Sequence, residues 1–125
     1  MRALDWDSSN PISKYPIFVV YHPSDPKLQV HGNFAWGGFI GSMTGISQKI
    51  SLGEKVWLPK AKSSTQHVKM TRYGNPWTYV FRDLLYEATD IKSAISILTK
   101  THRTCAIHIG LASVVDKSFR MFEYS

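Results

Sequence analysis

The sequence predicts a single α+β domain in which a pair of helices packs on a mostly antiparallel sheet. Short runs of β-branched and aromatic residues with alternating polarity occur towards both ends of the 125-residue chain. Between them, two consecutive stretches repeat their apolar residues at helical spacing. Because the helices follow one another between two groups of strands, we expect separate helix and sheet layers rather than alternating strands and helices.

Four stretches have the pattern of strands. Residues 17–21 (IFVVY) are a β-branched and aromatic run, typical of a buried strand. Residues 49–58 alternate in polarity, with a candidate irregularity at Gly53. Residues 103–111 and 118–124 alternate again, which completes an order of strands, two helices and strands.

Two helices are predicted from their starts and their apolar stripes. Asn75 and Pro76 are typical of a helix start, with a capping residue followed by proline in the first turn. Asp90 is the predicted cap of the second helix. The apolar stripes, read as core faces, are Val80, Phe81, Leu84, Leu85 and Ala88 in the first helix and Ile91, Ala94, Ile95 and Leu98 in the second.

Composition and charge exclude several classes of protein. The net charge is +6, but the basic residues are spread along the chain, so nucleic-acid binding is not expected. The polar stretch 59–75 contains Lys60, Lys62, Lys69 and Arg72 and reads as a solvated loop; a basic interaction surface on it is an alternative. No apolar run is long enough to span a bilayer, and the N-terminus does not resemble a signal peptide.

No complete catalytic or metal-binding set is visible from the residues alone. Cys105, the single cysteine, shares a predicted strand face with apolar residues, so we expect an inert core thiol. His102 and His108 lie three residues from it, on the opposite face. The five histidines show no metal-ligand spacing and read as surface or locally hydrogen-bonded residues, so neither a metal nor a cofactor is predicted.

Three segments, in this order, resemble a known group of enzymes. Residues 2–6 (RALDW) are similar to an Arg-Asn-Leu/Met-Asp-aromatic motif. Residues 38–45 (GFIGSMTG) and 50–55 (ISLGEK) are similar to a Gly-x-x-Gly-x-x-Thr-Gly pattern followed by a Ser-Leu-x-Asn-Glu-Arg strand. Residues 77–110 are similar to the same group in the order of their elements, which is a helix pair followed by a strand. The group is the linear-amide C–N hydrolases: choloylglycine hydrolase, penicillin V acylase and acid ceramidase, with the related acyl-coenzyme A:6-aminopenicillanic acid acyltransferases.

This resemblance implies a fold and a site. The family fold is an αββα sandwich of two antiparallel sheets between helix layers, and the nucleophile is an N-terminal cysteine. By resemblance, Arg2 positions and stabilises the thiolate, and Asp5 holds the α-amino group or the nucleophile. Gly53 stands where relatives have an oxyanion-contacting asparagine, so only its backbone N–H could contribute.

The departures from the family predict a partial domain over residues 1–125. Met1 directly precedes Arg2, so the strand that bears the nucleophile is absent from this sequence, and the family's later strands are absent after Ser125. We therefore expect an inactive relative of an N-acyl amide or lipid amide hydrolase. Unpaired strand edges would favour self-association. The sequence as given predicts a cytosolic protein. A lysosomal or secreted protein is the alternative if an upstream segment carries a signal peptide.

A non-catalytic module that binds acyl chains or lipid amides is the alternative function. Trp36, Phe39, Trp57 and Trp77 could line its pocket. The same four aromatic residues could equally be part of the core.

Overall fold

The computed structural model describes residues 9, 11–56, 72–104 and 106–124. Six strands and two helices follow a short 3₁₀ turn at Pro11–Lys14. The strands are β1 (Pro16–Tyr21), β2 (His31–Trp36), β3 (Thr44–Ser47), β4 (Ile50–Val56), β5 (Ile107–Ser113) and β6 (Ser118–Tyr124), and the helices are α1 (Trp77–Glu87) and α2 (Ile91–Lys100).

All six strands form one antiparallel sheet in chain order, β1-β2-β3-β4-β5-β6. The helix pair is inserted between β4 and β5. Helix α1 packs on β3 and β4, while α2 packs on β5. Both helices therefore cover the same face of the sheet, and the described residues form two layers.

The predicted αββα sandwich is wrong for the described residues. They contain one antiparallel sheet and one helix layer, whereas the sandwich needs two sheets between two helix layers. The sandwich was implied by the resemblance. The layering inferred from periodicity, helices on an antiparallel sheet, is compatible with the structure.

The core lies between the helix pair and the central strands. Both helical stripes contribute to it, and Phe81, Leu84 and Leu85 are fully buried, but Ile95 of the predicted second stripe is 45% exposed. Strand β5 alternates as predicted, with Ile107 and Ile109 among the residues facing the helices. Helix α2 begins as predicted at Asp90, where the carboxylate accepts a 2.7 Å hydrogen bond from the Ser93 backbone N–H. Helix α1 follows Pro76, with no capping side-chain bond.

Three details of the predicted strands are wrong. Strand β1 is not buried: it pairs with β2 alone among the described residues, and Phe18 is 59% exposed. Strand β4 runs without irregularity through Gly53, which lies opposite Gly110 in unbroken register. Strand β5 begins at Ile107 rather than at Arg103, which makes a single parallel bridge with Asn75. Within the described part of the chain, no helix is both long enough and apolar enough to cross a membrane.

Candidate functional site

An apolar groove of about 430 Å³ crosses the sheet face that the helices leave open. Its position follows from the pleat, because residues that alternate with the core residues point away from the helices. In β4 the core residues are Ile50 and Leu52, so Ser51 and Gly53 belong to the open face. The groove is lined by Phe18, Phe34, Thr44, Gly45, Ile46, Ser51, Leu52, Gly53, Gly110, Ala112 and Phe119.

The residues that face the centre of the groove are small. Gly53 of β4 is paired with Gly110 of β5, and Ser51 is paired with Ala112. None of these four side chains rises far above the backbone. The larger side chains of the flanking strands extend further from the sheet than these four. The four small residues therefore form the floor of the groove, and the larger side chains form its walls.

Aromatic rings form the walls by lying against glycines of neighbouring strands. Phe18 of β1 lies over Gly32 of β2, where a Cβ atom would overlap the ring. Phe119 of β6 lies over Gly110 in the same way, with its Cζ atom 3.1 Å from where a Cβ would be. Both rings keep more than half of their surface exposed, at 59% for Phe18 and 57% for Phe119. The walls are therefore apolar and accessible.

The polar groups of the floor are few, and one of them lacks a partner. The Thr44 hydroxyl is buried and makes no hydrogen bond within the described residues. It lies 3.9 Å from the position that a Cβ on Gly53 would occupy. The ladder between β3 and β4 ends at the pair Gly45–Leu52, one residue before Thr44 and Gly53. A buried hydroxyl without a partner is uncommon in proteins, and the residue that carries this one lines the groove.

The glycine-rich segment 38–45 is held by buried contacts on the helix side. The Asn33 amide donates to the Gly41 carbonyl over 3.1 Å, and its oxygen accepts from the Met43 backbone N–H over 3.2 Å. The Ser42 backbone N–H donates to the Thr78 carbonyl over 2.9 Å. Gly41 has a φ of 91°, and a Cβ there would lie 2.7 Å from Thr78. The sequence of this segment is thus set largely by packing.

A second polar group on the helix side is His31, which is 1% exposed. Its ring stacks on Tyr21 with centroids 4.9 Å apart and meets Tyr86 edge-on at 4.4 Å. Burial lowers the pKa of His31; the bond to the Gln29 carbonyl raises it and the Arg82 charge lowers it further. Its Nε2 atom has no partner among the described residues. His31 is therefore not at the surface, but its Nδ1 atom makes a local hydrogen bond with the Gln29 carbonyl over 3.5 Å, which is one of the two predicted alternatives.

Of the predicted site residues, the structure describes only Gly53. Arg2 and Asp5 lie outside the described residues, as does Cys105. Gly53 lies on the groove floor, and its predicted oxyanion contact stays a prediction. His108 pairs across the strands with Glu123, with 3.7 Å between Nε2 and Oε1. No cluster of three metal-ligating side chains occurs in the described part of the chain.

The aromatic residues predicted to line a pocket lie mostly elsewhere. Trp77 packs on Phe81 beside the core, with ring centroids 5.4 Å apart. Trp36 is buried and meets the wall residue Phe34 edge-on at 5.8 Å. Trp57 lies outside the described residues. The wall residues were missed because strand register, which unites them, is not visible in a single stretch of sequence.

Two proteins of Dictyostelium discoideum are similar to this chain along its whole length. Protein dcd1B is 34% identical over 125 residues, and protein dcd1A is 30% identical over 132 residues. The match spans only 24% of dcd1B and 29% of dcd1A. The chain thus spans about a quarter of the length of these relatives. No protein-family model matches the sequence.

Proposed function

We propose that this chain is part of an enzyme that acts on linear amide C–N bonds, and that the groove binds the N-acyl side of the substrate. The observation that carries the proposal is the meeting of Thr44 and Gly53 on the groove floor. They belong to the two consecutive segments, 38–45 and 50–55, that resemble one motif of the amide hydrolases.

The chemistry of the groove supports an N-acyl ligand. Apolar walls at Phe18, Phe34 and Phe119 suit a hydrocarbon chain, which gains free energy by leaving water. The Thr44 hydroxyl is a donor without a partner, and an amide carbonyl is an acceptor that would satisfy it. Among the described residues, no charged side chain lines the groove, so a neutral amide suits it better than a free anionic headgroup.

A non-catalytic module for acyl chains is the second candidate, because the same apolar walls would bind a chain that carries no amide. The two candidates differ at Thr44. An amide-binding site uses the hydroxyl, whereas a site for the hydrocarbon alone does not.

Binding of two fluorescent probes to the purified chain separates these functions: a long-chain N-acyl amide, and an alkane of equal length without the amide. Thr44→Val keeps the shape and removes the hydroxyl. We expect it to weaken amide binding by roughly three- to tenfold, the value of one hydrogen bond, and to leave alkane binding unchanged. Equal effects on both probes would favour the acyl-chain module and count against the amide.

Gly53→Val tests whether the probes bind in the groove, because its side chain would fill part of the groove beside Thr44. Gly37→Val is the matched control, since Gly37 lies outside the groove lining and a Cβ there would meet nothing closer than 4.0 Å. We expect Gly53→Val to reduce binding of both probes and Gly37→Val to reduce neither.

The enzymatic part of the proposal is tested in a longer chain. In a chimera, this chain replaces the matched quarter of dcd1B, and release of fatty acid from N-acyl amides is measured. We expect release by the chimera and a loss of rate with Gly53→Val. If neither dcd1B nor the chimera releases acid from a panel of amides, the amide hydrolase proposal fails.

A further inference from the structure

The turn between β5 and β6 exposes two adjacent valines, Val114 and Val115, which we call the valine tip. Four residues, 114–117, connect the pair Ser113–Ser118 that closes this hairpin. Val114 is 70% exposed and Val115 is 57% exposed. Turns are dominated by glycine, proline, asparagine, aspartate and serine. Two exposed valines are therefore unusual at this position.

The turn is held in place by polar groups rather than by the valine side chains. The Asp116 backbone N–H donates to the Ser113 hydroxyl over 3.1 Å, and the Asp116 carboxylate accepts from the Ile91 backbone N–H over 2.7 Å. On the other side, the Val114 backbone N–H donates to the Lys49 carbonyl oxygen over 2.9 Å. These bonds hold the tip between the β3–β4 turn and the start of α2, and none of them uses a valine side chain.

Exposed lysines from three elements lie around the valine tip. Lys49 is in the turn between β3 and β4, Lys92 is in the first turn of α2, and Lys117 is in the hairpin turn itself. Two acidic side chains lie there as well, but Asp90 and Asp116 both accept hydrogen bonds from backbone N–H groups in the first turn of α2. The positive end of the helix offsets their charge. This end of the sheet thus combines an apolar tip with cationic side chains around it.

The groove reaches almost to the same end of the sheet. The pairs Ser51–Ala112 and Ala112–Phe119 line the groove, and in each ladder only one further pair lies between them and the turns. A ligand that enters the groove from this end therefore passes close to the valine tip.

We propose that this end of the sheet docks on an anionic phospholipid surface, with the valine tip inserted between the lipid headgroups and the lysines against the phosphates. Inserted apolar area and the attraction of lysines to anionic lipid together determine the strength of such binding. Two valines offer too little area for a specific protein interface, which typically takes about 800 Å² from each partner.

The docking also gives a source for the substrate of the groove. A lipid amide resides in a bilayer, and a chain docked by the valine tip holds the end of its groove next to that bilayer. This step rests on the proposed function, whereas the docking itself does not.

The test is binding of the 125-residue chain to sedimented vesicles. Vesicles of equal parts of phosphatidylcholine and phosphatidylserine are compared with vesicles of phosphatidylcholine alone. We expect binding to the mixed vesicles, at least tenfold weaker binding without phosphatidylserine, and a similar loss in about 0.5 M salt, which screens the lysines.

Substitutions in the valine tip locate the contact. Val114→Ser combined with Val115→Ser should weaken binding to the mixed vesicles at least tenfold, because it removes the inserted apolar area. Ile40→Ser is the matched control. Ile40 is 67% exposed, but it lies between β2 and β3 at the opposite end of the sheet, so we expect less than a twofold effect.

Substitutions of the lysines test the electrostatic part. Lys49→Gln and Lys117→Asn should each weaken binding by about three- to fivefold, the effect of one lysine at an anionic surface. Asparagine is used at position 117 because Lys117 has a φ of 50°, a conformation that asparagine adopts readily.

Gly53→Val separates the docking from the groove. It should leave vesicle binding unchanged and reduce binding of the N-acyl amide probe measured without vesicles, whereas the double valine variant should do the reverse. If no variant and no wild type binds the amide probe, the proposed function fails while the vesicle result stands.

Three results would overturn the docking proposal. The first is the absence of binding to either kind of vesicle. The second is binding that the double valine variant keeps in full. The third is vesicle binding that Gly53→Val abolishes, since the lipid would then occupy the groove instead of meeting the valine tip.

Discussion

Gly45 of β3 lies directly beneath Leu85 of α1, so the helix packs against the sheet backbone with no side chain between them. A Cβ atom on Gly45 would overlap the Leu85 side chain and lie 2.9 Å from the Gly32 carbonyl oxygen. Leu85 is fully buried in the core. The contact sets how closely the helix layer approaches the sheet.

Gly45→Ala is expected to destabilise the fold by about 1–3 kcal/mol, the typical cost of overpacking a core that cannot move aside. The measurement is the free energy of unfolding from urea denaturation followed by circular dichroism. Gly53→Ala is the matched control, because the nearest atom to a Cβ there is the Thr44 hydroxyl at 3.9 Å. Equal losses from both substitutions would contradict a specific contact with Leu85.

The capping box of α2 predicts a stability difference that depends on pH. The pKa of Asp90 is lowered, mainly by the hydrogen bonds from Ser93 and less by the charge of Lys92. A lowered carboxyl pKa stabilises the fold above the ordinary value of 3.8, and this contribution is lost as pH falls through the folded-state pKa.

Wild type should therefore be more stable than Asp90→Asn at pH 7, and the difference should vanish in acid. Urea midpoints of the two proteins between pH 7 and pH 2 measure this. Asp90→Ala should be less stable than both at neutral pH, because it also loses the acceptor for the Ser93 N–H. A wild-type advantage that persists unchanged at pH 2 would exclude the carboxylate as its cause.

Local periodicity predicted the two helices and the alternation of β5 well, because each of these elements buries an apolar stripe. It did not predict β2 and β3. Strand β2 buries His31 and Asn33 on its helix side, and β3 has Gly45 and Ser47 there, so neither strand shows apolar alternation. Hydrogen bonds and close packing, rather than hydrophobicity, specify these positions.

For strand β1, the sequence predicted more burial than the structure has. Its run of apolar residues predicted burial on both faces, but the open face of the sheet leaves Phe18 and Val20 exposed. Of the candidate site, only Gly53 was predicted, and that came from the resemblance. The groove depends on the register that places Gly53 beside Gly110, and this long-range pairing leaves no trace in either strand alone.

Asn33 is predicted to be essential for the segment between β2 and β3. Its buried side chain satisfies the Gly41 carbonyl and the Met43 backbone N–H. Asn33→Ala leaves both groups without a partner, and each buried unsatisfied group costs about 1–3 kcal/mol. We expect a loss of at least about 2 kcal/mol in the free energy of unfolding. Gln48→Ala, at an exposed turn position, should change it little, and similar values for the two would refute this role.

The buried His31 predicts that the fold weakens in mild acid. Its pKa is lowered from the ordinary value of 6.5, chiefly by burial, so the folded state holds the neutral ring. Below pH 6.5 the unfolded chain binds the proton more readily, and stability must fall as pH decreases until the folded-state pKa is passed. The rings of Tyr21 and Tyr86 both contact the imidazole, and the charge of Arg82 lowers its pKa further.

Substitution of His31 tests whether this ring is the source of the acid sensitivity. His31→Phe keeps an aromatic ring between Tyr21 and Tyr86 but cannot take up a proton. Urea midpoints should fall between pH 7.5 and pH 5 in the wild type and fall less in His31→Phe. His22 is exposed, so His22→Gln should keep the wild-type slope. If His31→Phe keeps the full slope, the acid sensitivity comes from another group, and the buried ring contributes packing alone.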